Sequence, residues 1–232
     1  QTLGAGAWAS GGGMNSARTT LQGGGSGNSN AIVAGGYNAS TPHRTKSESY
    51  NGTSWTETSE NNDARQFGGG CGTNTAAIIM GGDPSSFLGA SETWDGSSWS
   101  EAPDLNTGRN QNQGAGTSTA ALCVGGGNPG AVTNVESWNG SAWTETSTDL
   151  NTAKKYMWAT GSNTACLVSG TPATTEQFNG SSWSEVAESN VDHRSGSAAG
   201  TSTDGIIWGG DNGPGYNATT EIWDNSSWTE VA

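Results

Sequence analysis

An all-β chain folded as a five-bladed β-propeller of four-stranded blades is predicted by three observations. A ten-residue unit runs five times along the chain, its second Trp recurs at blade-like intervals, and a short apolar strand ending in glycine precedes it each time. In 232 residues, length alone would allow one all-β domain, two small domains or a repeat array, and the repeats decide for the array.

The repeated unit comes first. Glu48, Tyr50, Asn51, Gly52, Trp55 and Glu57 recur as Glu92, Trp94, Asp95, Gly96, Trp99 and Glu101, and three more copies run from Glu136 to Glu145, Glu176 to Glu185 and Glu221 to Glu230. The second Trp falls at positions 55, 99, 143, 183 and 228, spaced by 44, 44, 40 and 45 residues. Each copy reads as a β-hairpin, because Asn-Gly or Asp-Gly supplies the positive φ angles of a tight type I′ turn between aromatic and hydroxyl-rich strands. In the last copy Asn225 stands where the others have glycine, and Asn tolerates the left-handed region better than other side chains.

Upstream of each hairpin lies an apolar strand, at Ala31–Gly36, Ala77–Gly82, Ala121–Gly126 and Gly205–Gly210, closed by a Gly-Gly doublet. The fourth repeat departs from this, running from Cys166 to Ser169 and Gly170. Before that strand comes a glycine-rich stretch introduced by a cation, which is Arg18, Arg65, Arg109, Lys154 or Lys155, and Arg194 in the five repeats. Four strands per repeat follow, with approximate blades 14–57, 58–101, 102–145, 146–185 and 186–232 and an extra strand-like segment at 1–13. Small residues suit the innermost strand, where five blades crowd around a narrow axis. Met157 and Trp158 break that rule in the fourth blade, so either the strand is offset or the Trp points between blades.

Ring closure has two readings, since Trp8 precedes Arg18 as Trp55 precedes Arg65 and thus gives a sixth Trp strand for five blades. Either the first strand completes the last blade, or the Glu221 hairpin closes locally; local closure is the expectation here. A chain that opens on Gln1 rather than Met also suggests processing, trimming or a piece of a longer array.

Composition narrows the function. With 38 Gly, 12% charged and 31% hydrophobic residues, the chain lacks the material for the long apolar strands of a layered α/β enzyme, while 11 Trp argue against disorder. A net charge of −13, from 21 acidic and 8 basic residues, repels a phosphate backbone, so no nucleic acid is expected as a partner. No apolar run is long enough to span a bilayer and no basic amphipathic stretch would lie on one, so no membrane insertion is expected. Cys71, Cys123 and Cys166 read as buried free thiols. His43 and His193 have no second ligand at metal spacing, so neither is assigned a role and no metal or cofactor is expected.

The ten repeated glutamates resemble paired carboxylates, but a residue present in every blade more plausibly does a job every blade needs, such as pairing with the repeat cation. No catalytic residue is assigned, and the protein is read as no enzyme. The repeated Trp residues are read as packing between blades, with exposed stacking platforms for sugar rings as the alternative. Segments that differ between blades, Phe87 and Leu88, Pro129 and Gly130, and Pro214 to Tyr216, are the ligand candidates, because loops on a rigid scaffold usually carry function.

An Arg, an apolar strand closing in Gly-Gly, then an aromatic residue followed after a turn by Trp resembles the kelch repeat over nearly the whole chain. Trp94-Asp95 and Trp223-Asp224 look superficially like WD40, but here the Asp opens the hairpin turn. The low-charge wording around Asn106–Arg109 and Asn151–Lys154 resembles kelch-like repeats of marine tailed-phage virion proteins. That resemblance implies a virion or extracellular fibre, decoration or adhesion protein whose partner is host-surface glycan or another virion protein. The alternative is a kelch-type scaffold binding a protein partner; an oxidase domain of the galactose-oxidase sort would need His and Tyr copper ligands that two histidines do not supply.

Overall fold

The computed structural model describes residues 11–39, 45–83, 87–211, 213 and 215–231. Twenty strands lie among them, and they form five four-stranded antiparallel sheets, each a meander of consecutive strands. Blade 1 holds β1 (Gln22–Gly25), β2 (Ala31–Ala34), β3 (Ser47–Tyr50) and β4 (Trp55–Glu57). Blade 2 holds β5 (Gly69–Thr73), β6 (Ala76–Met80), β7 (Ser91–Trp94) and β8 (Trp99–Ala102). Blade 3 holds β9 (Gln113–Thr117), β10 (Ala120–Val124), β11 (Val135–Trp138) and β12 (Trp143–Glu145). Blade 4 holds β13 (Lys155–Ser162), β14 (Ala165–Thr171), β15 (Thr175–Phe178) and β16 (Trp183–Val186). Blade 5 holds β17 (Ser197–Gly200), β18 (Gly205–Trp208), β19 (Thr220–Trp223) and β20 (Trp228–Val231). The sheets build the predicted five-bladed β-propeller, and the Glu221 hairpin belongs to the last sheet, as local closure requires. The strand-like segment around Trp8 lies outside the described residues.

The first strand of each sheet is innermost, and glycine makes that possible. A Cβ on Gly70 would stand 2.8 Å from the Gly23 nitrogen, and one on Gly114 would stand 2.8 Å from the Gly70 oxygen. Backbone therefore meets backbone around the axis, at a distance that any side chain would prevent.

The repeated hairpin differs from the expected type I′ turn. Tyr50 pairs with Trp55, which leaves a four-residue loop, and only Gly52 in it has positive φ, at 94°. The Asn51 Oδ1 accepts the N–H groups of Thr53 and Ser54 at 2.9 and 3.0 Å, so the side chain supplies the turn that two left-handed residues would otherwise supply. Asp95 does the same with Ser97 and Ser98, both at 2.8 Å, and hydrogen bonds led by that from the Ser98 N–H hold its carboxyl down to about 2.

Along each second strand the side chains alternate between the next blade and the previous one. Ile78 and Met80 of β6 thus meet Ala121 and Cys123 of β10, with Trp138, Trp143 and Leu105 closing the cluster. Equivalent clusters join blade 1 to blade 2 around Trp99, blade 3 to blade 4 around Trp183, and blade 4 to blade 5 around Trp228. In these four junctions the repeated Trp is packing, as the sequence suggested. Trp158 is also packing: it stacks edge-on against Trp228 at 5.7 Å. Both sequence readings of the fourth blade hold, because the register of β13 on β14 shifts between Lys155 and Trp158 while the indole sits between blades.

The junction from blade 5 back to blade 1 uses the same positions with less burial. Ile206 and Trp208 on one side, and Ala31, Val33, Tyr50 and Trp55 on the other, are only half-buried. Among the described residues no apolar cluster spans it.

Candidate ligand-binding face

Each blade is locked by a buried clasp whose parts come from the repeat. In blade 2 the Arg65 guanidinium donates through Nη1 to the carbonyls of Gly81 and Ala90, at 3.3 and 2.8 Å, and through Nη2 to Glu92 Oε1 at 2.7 Å. The other oxygen of Glu92 accepts the Asn62 N–H at 2.7 Å and its Nδ2 at 2.9 Å. Asn15, Asn106, Asn151 and Asn190 make the same paired contacts with Glu48, Glu136, Glu176 and Glu221. Burial raises the Glu48 carboxyl, yet the Asn15 N–H and the Arg18 guanidinium outweigh it and leave its pKa below the ordinary value.

The clasp settles the repeated glutamates. The first of each pair is fully buried and bound to the repeat cation, which is the structural job the sequence reading favoured over acid/base work. The second is exposed on the outer strand, and Glu101 and Glu145 have raised pKa values, chiefly through partial desolvation and then through Glu92 and Glu136 opposite them.

One assignment of the cation that the sequence left open is settled and another is corrected. In blade 4 it is Lys154, buried against Glu176 at 3.2 Å, whereas Lys155 lies outside the clasp. In blade 5 the clasp position is taken not by Arg194 but by His193, whose Nδ1 faces the Gly209 carbonyl at 2.8 Å and whose Nε2 faces Glu221 Oε1 at 3.1 Å. Spacing held the signal: Trp183 precedes His193 by ten residues, as Trp55 precedes Arg65 and Trp99 precedes Arg109. Residue type hides that signal, since the position is Arg in three blades, Lys in one and His in the last. His43 falls outside the described residues.

The metal question also changes. Only His and Cys ligands were weighed from sequence, but oxygens of Asp63, Glu92 and Glu101 lie within 4.8 Å of one another. Glu92 already accepts from Arg65 and from three N–H groups of Asn62 and Asp63, and the Asp63 carboxylate lies 3.6 Å from the same Arg65 guanidinium, so Arg65 already supplies a positive charge to this cluster. The three thiols are buried free cysteines, as expected. Burial pushes Cys71 and Cys166 up to about 12 and Cys123 to about 11, so none is a nucleophile near neutral pH.

Two steps beyond each clasp cation the backbone enters the left-handed region: Thr20, Phe67, Gln111, Tyr156 and Ser195 have φ between 53° and 58°. Three links join these positions from blade to blade, with N–H of Phe67 donating to the Thr20 carbonyl, Gln111 to Phe67 and Ser195 to Tyr156, at 3.1, 2.6 and 3.0 Å. All five line a mouth of about 530 Å³, which shares Leu21, Gln113, Gly196 and Ser197 with a central cavity of about 960 Å³ walled by the innermost strands. An L-residue in this conformation costs roughly 1–2 kcal/mol. Yet none of the five is glycine, in a chain with 38 of them.

The candidate loops leave from the same end of the blades, since bridges pair residues just before the innermost strands with residues just after the second ones. Of them only the third reaches the mouth. Tyr216 lines it with 97% of its surface exposed, whereas Phe87, Leu88, Pro129 and Gly130 line neither cavity, and Pro214 lies outside the described residues. The five left-handed residues were missed from sequence because their side chains share no type; the fixed offset from the clasp residue was the signal that could have found them.

No family model matches the chain, and no curated protein matches it either. The likeness to kelch repeats therefore rests on the residue pattern alone.

No helix among the described residues is long and apolar enough to cross a membrane.

Proposed function

We propose that the protein is a non-catalytic binding propeller, an interaction scaffold of the kelch type that takes a protein partner at the narrow mouth. One observation carries this reading. Positions that every blade shares are spent on clasps and packing, whereas the strained position at the mouth carries five different side chains. Strain retained at a cavity rim, where glycine would relieve it, supports a use for the side chains themselves. An aromatic and amide lining from Phe67, Tyr156, Tyr216 and Gln111 is a surface that combines apolar area with orienting hydrogen bonds.

A second reading keeps the same mouth and changes the occupant. Flat aromatic rings also stack on sugars, so a virion or extracellular component contacting host-surface glycan remains the finer alternative drawn from the repeat wording. Panning a displayed peptide library and a set of bacterial surface polysaccharides against the wild type and against Phe67→Ala/Tyr156→Ala separates them, with near-ultraviolet circular dichroism checking the fold. Peptide binders weakened at least tenfold by the double variant support the scaffold; mouth-dependent binding of polysaccharide alone supports the glycan reading. Binders indifferent to the variant, or none of either kind, overturn the mouth as the site.

A further inference from the structure

We infer that the mouth anchors its partner through a carboxylate, so that the occupant is an acidic peptide segment; this rests on the scaffold reading above. The chain carries eight Lys and Arg residues, and the described ones are almost all spent. Arg18, Arg65, Arg109 and Lys154 are buried in clasps, and Lys46 is paired with Glu57 at 3.0 Å. The two others, Lys155 and Arg194, flank one ring: the Arg194 guanidinium carbon lies 4.4 Å and the Lys155 Nζ 5.4 Å from the centroid of Tyr156, which lines the mouth.

Both reach this place because the clasp uses the residue before them. Lys154 and His193 take the buried position, which leaves the next cation in each blade against the Tyr156 ring, beside the mouth rather than in its lining. Among the described residues the one carboxylate paired with either is Asp211, 3.8 Å from Arg194 Nε, beyond hydrogen-bond distance, with both side chains about one-third exposed. Among the described residues of a molecule of net charge −13, the two Lys and Arg side chains held in neither a clasp nor a close ion pair therefore gather on one aromatic residue that lines the mouth. A cation seated on a ring face is partly desolvated and fixed in direction, which prepares it to receive a carboxylate through charge-assisted hydrogen bonds. The half-buried Gln111 across the mouth is suited to the backbone amides of an extended peptide.

The test uses two fluorescein-labelled octapeptide pools of matched random composition, one with a central Glu-Glu and one with Gln-Gln, and an oligogalacturonate as a carboxylate of different origin. Fluorescence anisotropy against the full chain is expected to show the acidic pool binding at least tenfold tighter than the amide pool. The Lys155→Gln/Arg194→Gln variant, checked for its tryptophan dichroism, is expected to remove that preference. Equal binding of the pools, or a preference that survives the variant, overturns the proposal, as does tight binding of the oligogalacturonate with neither pool bound. Peptides selected by the displayed library that need Phe67 and Tyr156 but ignore the loss of both cations would overturn this inference alone and leave the mouth as the binding site.

Discussion

The junction between blades 2 and 3 and the junction between blades 5 and 1 are made from the same repeat positions, yet only the first is a closed core. Ile78, Met80, Cys123 and Trp143 are at most 6% exposed, whereas their counterparts Ile206, Trp208, Val33 and Trp55 are half-buried. Backbone ties reinforce three of the closed junctions. The second glycine of the first three doublets donates to the clasp residue of the next blade, from Gly36 to Arg65 at 2.9 Å, from Gly82 to Arg109 at 2.8 Å and from Gly126 to Lys154 at 2.8 Å. In a repeat array stability is close to a sum of units and neighbour interfaces. A ring with one weaker interface therefore has a preferred place to open, and the difference teaches that blade sequence sets each face while the order of blades sets which faces meet well.

The largest effects should come from the tight side. Trp143→Ala removes an indole that is buried and donates from Nε1 to the Ser91 hydroxyl at 3.0 Å, and should cost about 3–5 kcal/mol by urea unfolding. Trp55→Ala at the loose junction should cost less than half of that; equal losses would break the comparison. Arg109→Gln leaves Glu136 without its ion partner and should cost about 3–5 kcal/mol, a figure to be read from the same unfolding curves.

Local opening gives a smaller signal. Amide hydrogen exchange should be faster at Val33 and Ile206 than at Ile79 and Leu122, because a half-buried face opens without breaking the whole fold; the reverse order would place the weak seam elsewhere. Thiols sharpen the picture, since Cys71, Cys123 and Cys166 all lie in closed junctions. At pH 8 they should resist iodoacetamide in the native protein and react only on unfolding, and alkylation in the folded state would show that those junctions open too.

The smallest effect concerns acid. Because the Glu48 carboxyl is held below its unfolded value, its clasp adds stability that is present above the unfolded pKa and fades as pH falls through the folded one. Glu48→Gln should therefore flatten the loss of thermal stability below about pH 4.5, the ordinary value for the group.

Five blades, four strands to each, free buried cysteines and the pairing of glutamate with a repeat cation were legible in the chain itself. Periodicity is a local property, and a glycine doublet or a Trp at a fixed offset means the same in every copy. The type I′ turn was misread because the Asx side-chain bonds that shape a four-residue loop are visible only once Tyr50 is seen to pair with Trp55. His193 rather than Arg194 was marked for the last clasp by its ten-residue offset from Trp183, but its contact with Glu221 is visible only in the tertiary structure. The mouth likewise exists only in three dimensions: Thr20, Phe67, Gln111, Tyr156 and Ser195 are separated by whole blades, share no residue type, and become one site because the ring brings their strained backbones together around an axis.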